Sequence, residues 1–297
     1  MPANRDLEAK NPAALLKRIK YEFPKISWNN YEFLNHGWDH EVIILDNKLV
    51  FRFPNSSKYL SAFKDEVNLL NYLVTKTKTK IPNYKYVVSD YSFAGYEIIP
   101  GTELSEELFQ LLTIEEKQKI AEQLAEFLTA IHTVNVNELS RFNIATADMV
   151  SEAKKLRKQV NKFLQGVLTK DEYAQVLQIL EEVDVIVNKP LPVALIHNDI
   201  SSSHIIWDSV SKTVGIIDFS DRCLSDPAYD FMELFLYGKV FAEQVFGMYE
   251  GLKDEEFLHR AWVYLKRLGV YILVDSFIND KITYKKAKTL FDKVISS

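Results

Sequence analysis

Cysteine is nearly missing from the 297-residue sequence: Cys223 stands alone, which excludes an internal disulfide and a CxxC zinc site. Glycine is sparse, at nine residues, and neither GxxxxGK(S/T) nor GxGxxG occurs. A P-loop and a dinucleotide fingerprint are therefore excluded. No apolar run approaches the ~20 residues of a membrane helix; "GVYILV" (269–274) is the nearest and far too short. The opening "MPANRDLEAKNP" is polar and has no signal-like apolar stretch, so a cytoplasmic location is expected. A Lys/Arg run is also missing, and the net charge is −5. This pattern points away from nucleic acid and towards cationic partners.

The chain does contain the material for a large core. It is 47% apolar, with 18 Phe and 15 Tyr, an ordinary globular composition. Apolar spacing predicts helices over 13–23 and 59–74, and strand-like runs over 41–45 and 49–53 joined by the polar turn "DNK". A further strand pair, "YKYVVSD" and "FAGYEII", precedes "PGTEL". Beyond residue 102 helices dominate: 113–134, opened by a Thr113…Glu116 capping box, then 149–166 and 170–187. A strand-rich island, "LPVALIHND", "HIIWD" and "VGIIDF", follows. Helices resume with "DPAYDFMELFLY", 239–250, 254–275 and 281–295. The expected class is α+β, with a small antiparallel-sheet lobe over 1–99 and a mainly helical lobe over 100–297. Such a two-lobe order matters because clefts between lobes commonly hold ligands.

The densest chemistry lies in "HNDISSSH" (197–204) and in "GIIDFSDRCLSDPAYDF" downstream. His197, Asp199 and His204 could ligate zinc, but a hydrolytic site needs further ligands, and His36, His40, His132 and His259 form no second pair with ligand spacing. Phosphoryl transfer needs a carboxylate to accept the hydroxyl proton, a metal-binding carboxylate and a polar metal ligand. Asp199, Asp218 and His204 supply these in that order. The single glycine of "NHGWDH" (35–40) is a weak sign of a loop covering phosphate.

Those stretches together resemble the aminoglycoside phosphotransferases, whose fold is protein-kinase-like, with the 2″-phosphotransferases the most similar branch. "FRFP" (51–54) matches their strand with the phosphate-binding basic residue, Glu66 its helical ion-pair partner, and "FAGYEIIPG" (93–101) the segment beside the nucleotide base. The resemblance implies Asp199 as catalytic base and His204 and Asp218 as ligands of Mg²⁺, a hard ion suited to oxygen donors. It implies Arg52, Glu66, Tyr96, Glu97 and Ile99 around ATP or GTP, with Tyr96 limiting the depth of the base pocket. Asp221, Glu233 and Trp262 are candidates for holding a small, hydroxylated, cationic acceptor. The sequence departs from the pattern in having arginine at 52, "DFS" in place of "DFG", and few acids after "DF". Macrolides, choline-like metabolites and sugar amines are alternative acceptors, and a non-catalytic nucleotide-binding protein is a rival class. Some polar residues have plainer readings: Asp226-Pro227 as a helix start, Asp230 as a brace for the catalytic loop, His197 as a shaper of that loop, and His132 as structural.

Overall fold

A computed structural model describes residues 11–34, 40–279 and 282–296. The glycine of "NHGWDH" lies outside the described residues. The chain forms two compact units, each assembled from separate stretches. The first takes the residues up to Glu103 together with Asn137–Ile144 and His204–Ser220, and the second takes the rest.

In the first unit, strands β1 (Tyr31–Leu34), β2 (His40–Leu45), β3 (Leu49–Pro54), β4 (Tyr86–Val87) and β5 (Ala94–Glu97) form one sheet in the order β1-β2-β3-β5-β4. Every pairing is antiparallel. The "DNK" turn closes the β2–β3 hairpin through Asp46 and Asn47, both at positive φ (48° and 52°), with Lys48 N donating to Leu45 O. Asp and Asn tolerate that left-handed pair, which suits the twist of a hairpin. Side chains alternate along β3. Phe51 and Phe53 pack with Leu15 and Ile19 of helix α1 (Pro12–Glu22) and with Ile43, Leu45, Val88 and Phe93. Arg52 takes the opposite face. Helix α2 (Leu60–Leu73) buries Phe63, Val67, Leu70 and Leu73 as its spacing predicts, and it buries Glu66 with them.

A second sheet in this unit pairs β6 (Thr102–Glu103) with β7 (Ile205–Asp208), and β7 with β8 (Thr213–Ile216). Thr102 and Glu103, read from sequence as the stop of a strand pair, thus carry a strand of their own. Ile216 N donates to Lys80 O at 2.8 Å. Gly215 is required here, because a Cβ would come within 2.3 Å of the Ile99 side chain. These contacts fix the hairpin that leads into Asp218.

The second unit is helical: α3 (Glu106–Leu111), α4 (Ile114–His132), α5 (Met149–Phe163), α6 (Lys170–Val187), α7 (Lys239–Met248), α8 (Phe257–Asp275) and α9 (Tyr284–Ser296). The Thr113–Glu116 capping box is present, and Thr169–Glu172 forms another. The short strand Ala194–Ile196 pairs antiparallel with Cys223–Ser225. Residues Pro227–Tyr237 form a 3₁₀ helix, tighter than the α-helix that the spacing suggests. Its N-cap is Asp226, which accepts from Ala228 N at 3.1 Å. Among the described residues no helix is long and apolar enough to cross a membrane. The α+β class, a small antiparallel sheet with a larger helical part, is the one expected from sequence.

Asp226 does more than cap. Its buried carboxylate accepts from Arg260 Nε at 2.7 Å and from Tyr264 Oη at 2.8 Å, and Arg260 also pairs with Asp254. Asp226→Ala strands the buried Arg260 Nε–H and the Tyr264 phenol, while Asp254 still holds both Nη atoms, and should cost roughly 2–3 kcal/mol. Urea denaturation reads that loss, and Asp226→Asn, which retains the cap, should lose less.

Candidate active site

Arg52 is the organising charge of the first unit. It sits on the middle of β3, 8% exposed, where an unpaired charge would cost several kcal/mol. Its Nη1 donates to Glu66 Oε1 at 2.5 Å and to Tyr84 Oη at 3.2 Å. Its Nη2 lies 3.2 Å from His40 Nδ1 and donates to Ser220 Oγ at 3.2 Å. Burial works against the guanidinium's charge, but Glu66, then Tyr84 and Asp218, more than reverse it, and the proton is held more tightly than in an ordinary arginine. Glu66 is brought to it because Phe63, Val67 and Leu70 turn that face of α2 inward.

Asp218 follows β8 in the left-handed region, at φ 62°. Non-glycine residues held there are uncommon and cluster at functional sites. Its Oδ1 accepts from Ser220 Oγ at 2.7 Å and lies 3.7 Å from Arg52 Nη2, while its Oδ2 lies 3.6 Å from His204 Nε2. Burial raises its pKa, and Arg52, Ser220 and His204 outweigh that, leaving it below the usual aspartate value. The carboxylate is thus held ionised beside an imidazole. Among the described residues no three His, Cys, Asp or Glu side chains gather as a metal cage. His204 and Asp218 therefore suit an ion that takes its other ligands from phosphate and water, as Mg²⁺ does, and a closed zinc site does not fit.

The strand beside the expected base site is also described. Tyr96 is buried edge-to-face against Tyr84 at 5.1 Å, and burial pushes its phenol up to about 12. Ile98 N donates to Lys48 O, so Glu97 opposite Leu49 is a non-hydrogen-bonded pair. The backbone N–H and C=O of Glu97 therefore point away from β3, as a base-recognition edge requires.

In the second unit, Asp230 organises the loop that carries Asp199. Its two oxygens accept from His197 N at 2.8 Å and Asn198 N at 2.7 Å. Asn198 is again left-handed, at φ 71°, and Asp199 N donates to Nδ1 of the buried His197 at 3.3 Å. His132 Nε2 meets Asp230 at 3.0 Å, and its Nδ1 lies 2.9 Å from Tyr249 Oη. Sequence reasoning treated His132 as structural and found no local sign that it supports the Asp199 loop.

A cavity of about 710 Å³ opens at Asp199. It brings Asp221 and Glu233 together with Asp199, along with Asp275, Glu152, Lys155 and Arg267. Trp262 does not line it; its half-buried ring packs on Phe235 at 5.3 Å. Glu152 and Arg267, which pair at 3.0 Å, had no sequence signal, because 115 residues separate them.

Arg52→Ala would leave Glu66, 1% exposed, without its cation and should destabilise the fold by roughly 3–5 kcal/mol. Arg52→Lys keeps the charge and should lose much less. Adding Glu66→Gln to Arg52→Ala should recover part of the loss; urea melts of the four proteins decide.

Residues 30–262 match the model of the phosphotransferase enzyme family. Among solved structures, the chain is 25% identical to the GDP complex of wild-type aminoglycoside 2′-phosphotransferase-IIIa, with a TM-score of 0.84 over 97% of this chain and 99% of that one. It is 25% identical to the GDP and kanamycin complex of APH(2″)-IIIa, at 0.79 over 95% and 96%. The apoenzyme of the macrolide 2′-phosphotransferase MphH from Brachybacterium faecium shares the fold at 14% identity, at 0.68 over 95% and 97%. The family match spans both the Arg52 strand and the Asp199 loop, and the chain accordingly belongs to the phosphotransferase enzyme family, whose kinase-type members transfer phosphate to hydroxyl groups.

Proposed function

We propose that the protein transfers the γ-phosphate of ATP or GTP to a hydroxyl of an aminoglycoside-like acceptor, with nucleotide on the first unit and acceptor on the second. One observation carries the reading: a buried, fully charged Arg52 is held 3.7 Å from an ionised Asp218 that also faces His204. A cation and an ionised, partly exposed carboxylate beside an imidazole suit phosphate and a metal ion. GDP in two structures of a similar enzyme, the IIIa phosphotransferase, supports a nucleotide donor.

The family resemblance suggests the roles, and the geometry of each residue is compatible with them. Arg52, oriented by Glu66, holds the α/β-phosphates, which replace the weaker partners on Nη2, His40 and Ser220. Backbone groups of Glu97 and Ile99 bind the base, and buried Tyr96 limits the depth of its pocket. Asp218 and His204 hold Mg²⁺, which supplies charge neutralisation to the phosphates when bound. Asp199 orients the acceptor hydroxyl and takes its proton, in a loop that Asp230 and His197 fix. The cavity at Asp199 is lined by more carboxylates than cations, which favours an acceptor bearing ammonium groups. Leu268, Tyr271 and Ile278 give it an apolar side as well, and with the macrolide-enzyme likeness they support a macrolide as the second reading. The same carboxylate excess suits a choline-like or sugar-amine acceptor, so turnover has to separate these from aminoglycosides.

A coupled nucleotide-turnover screen over aminoglycosides, macrolides and amino alcohols tests the reading; no turnover with any aminoglycoside sinks the acceptor assignment. Asp199→Asn keeps the size but loses the proton acceptor, so kcat should fall by ~10²-fold or more, with nucleotide affinity little changed. Near-normal turnover would remove Asp199 from the mechanism.

Asp218→Ala should abolish the Mg²⁺ dependence of nucleotide binding, because the triphosphate loses the carboxylate that shares its ion. Calorimetry with and without Mg²⁺ reads this directly. Unchanged Mg²⁺-nucleotide binding would reduce Asp218 to the end of a hairpin.

A further inference from the structure

The cavity at Asp199 is not uniformly acidic. Asp221, Glu233 and Asp275 are carboxylates on its lining, but Glu152 is cancelled by Arg267. The Arg267 side chain is 12% exposed and the Glu152 side chain 52%. Its Nη2 donates to Glu152 Oε2 at 3.0 Å, and its Nη1 donates to Tyr229 Oη at 2.7 Å. Burial opposes the charge of Arg267, and Tyr229 and Glu152 restore it beyond the ordinary arginine value.

The direction of these bonds decides what this wall can recognise. Tyr229 uses its oxygen as an acceptor for Arg267, so its own proton is left to be donated elsewhere. Burial pushes that phenol up, against the opposing pull of Arg267, so the proton stays on. Arginine has only donors. The wall therefore offers N–H and O–H groups, with the charge of Arg267 balanced by Glu152. A substrate oxygen is a partner for such a wall, and an ammonium finds its carboxylate already matched.

Resting on the aminoglycoside-like reading of this cavity, we infer that Arg267, acting with Tyr229, is a specificity-determining residue. It cancels Glu152 as an ammonium site and selects an oxygen substituent, a hydroxyl or ether, at the acceptor position facing α5 and α8.

The experiment compares pairs of aminoglycosides that differ by one amine-for-hydroxyl replacement, with the replacement at several ring positions. The quantity read is the amine-to-hydroxyl ratio of kcat/KM for each pair. At one position the wild-type enzyme should prefer the hydroxyl. Arg267→Gln frees Glu152 and should shift that ratio towards the amine by roughly tenfold, the scale of one charge-assisted hydrogen bond in a half-open site. Arg267→Lys retains the cation and should leave the ratio near wild type. Glu152→Gln leaves the cation unopposed and should shift it the other way, and adding Glu152→Gln to Arg267→Gln should erase the gain. Two opposite shifts keep the test decisive even where Arg267→Gln folds poorly. Equal losses for both members of every pair would mean that Arg267 only ties α8 to Tyr229 and α5, and would overturn the inference. Wild-type enzyme inactive on every member would instead overturn the acceptor reading itself, and the inference with it.

Discussion

A guanidinium buried on a central strand constrains everything around it. Arg52 cannot lose its proton, so its surroundings must carry the compensating charge and accept its hydrogens. The four terminal N–H groups are directed at Glu66, Tyr84, His40 and Ser220. Those partners come from α2, from the segment before β4, from β2 and from the end of the His204–Ser220 hairpin. The strand order, the inward turn of α2 and the close fit of Gly215 on Ile99 are all conditions for bringing them to one point. A lysine, with three N–H groups on a single atom, has no means of reaching partners spread over that width. The arginine at 52 and the serine at 220 thus explain each other, since a glycine at 220 would leave part of Nη2 without its acceptor.

The second unit solves a related problem by the opposite charge. The Asp199 loop has backbone N–H groups at His197 and Asn198 that no strand partner satisfies, and a buried donor left alone costs about 1–3 kcal/mol. Asp230 satisfies both, one per oxygen, and is itself held by His132. With those bonds made, Asn198 can remain at positive φ and the side chain of Asp199 is presented to the cavity. The bracing residue lies within the 3₁₀ run that Asp226 starts, so the Asp226–Arg260–Tyr264 network also fixes the height of Asp230.

Much of this was legible in sequence where the information is local. The Thr113 capping box, the Asp226-Pro227 helix start and the α2 spacing rest on neighbours within a few residues, and the Asp199 to Asp218 motif is compact. The strand at Thr102–Glu103 was not legible, because its partner Trp207 is over a hundred positions away. The 3₁₀ form of 227–237 was missed because its spacing is also that of an α-helix. The other partners of Arg52, the support from His132, and the Glu152–Arg267 pair all depend on tertiary packing, and no short window contains both members. Trp262 was chosen for its residue type on a helix, and its ring is directed to Phe235 instead.

The same distinction separates the two halves of the chemistry. On the proposed reading, the groups assigned to phosphate and metal lie within one short hairpin and one strand–helix pair, so residue types in short windows suggest them. The cavity proposed for the acceptor is lined by side chains from α5, the 3₁₀ run, the Asp199 loop and α8, where a carboxylate can be exposed, cancelled or used elsewhere. Glu152 lines the cavity yet has Arg267 across from it at 3.0 Å. The charge that such a cavity presents is therefore a property of pairing across helices, which composition does not carry.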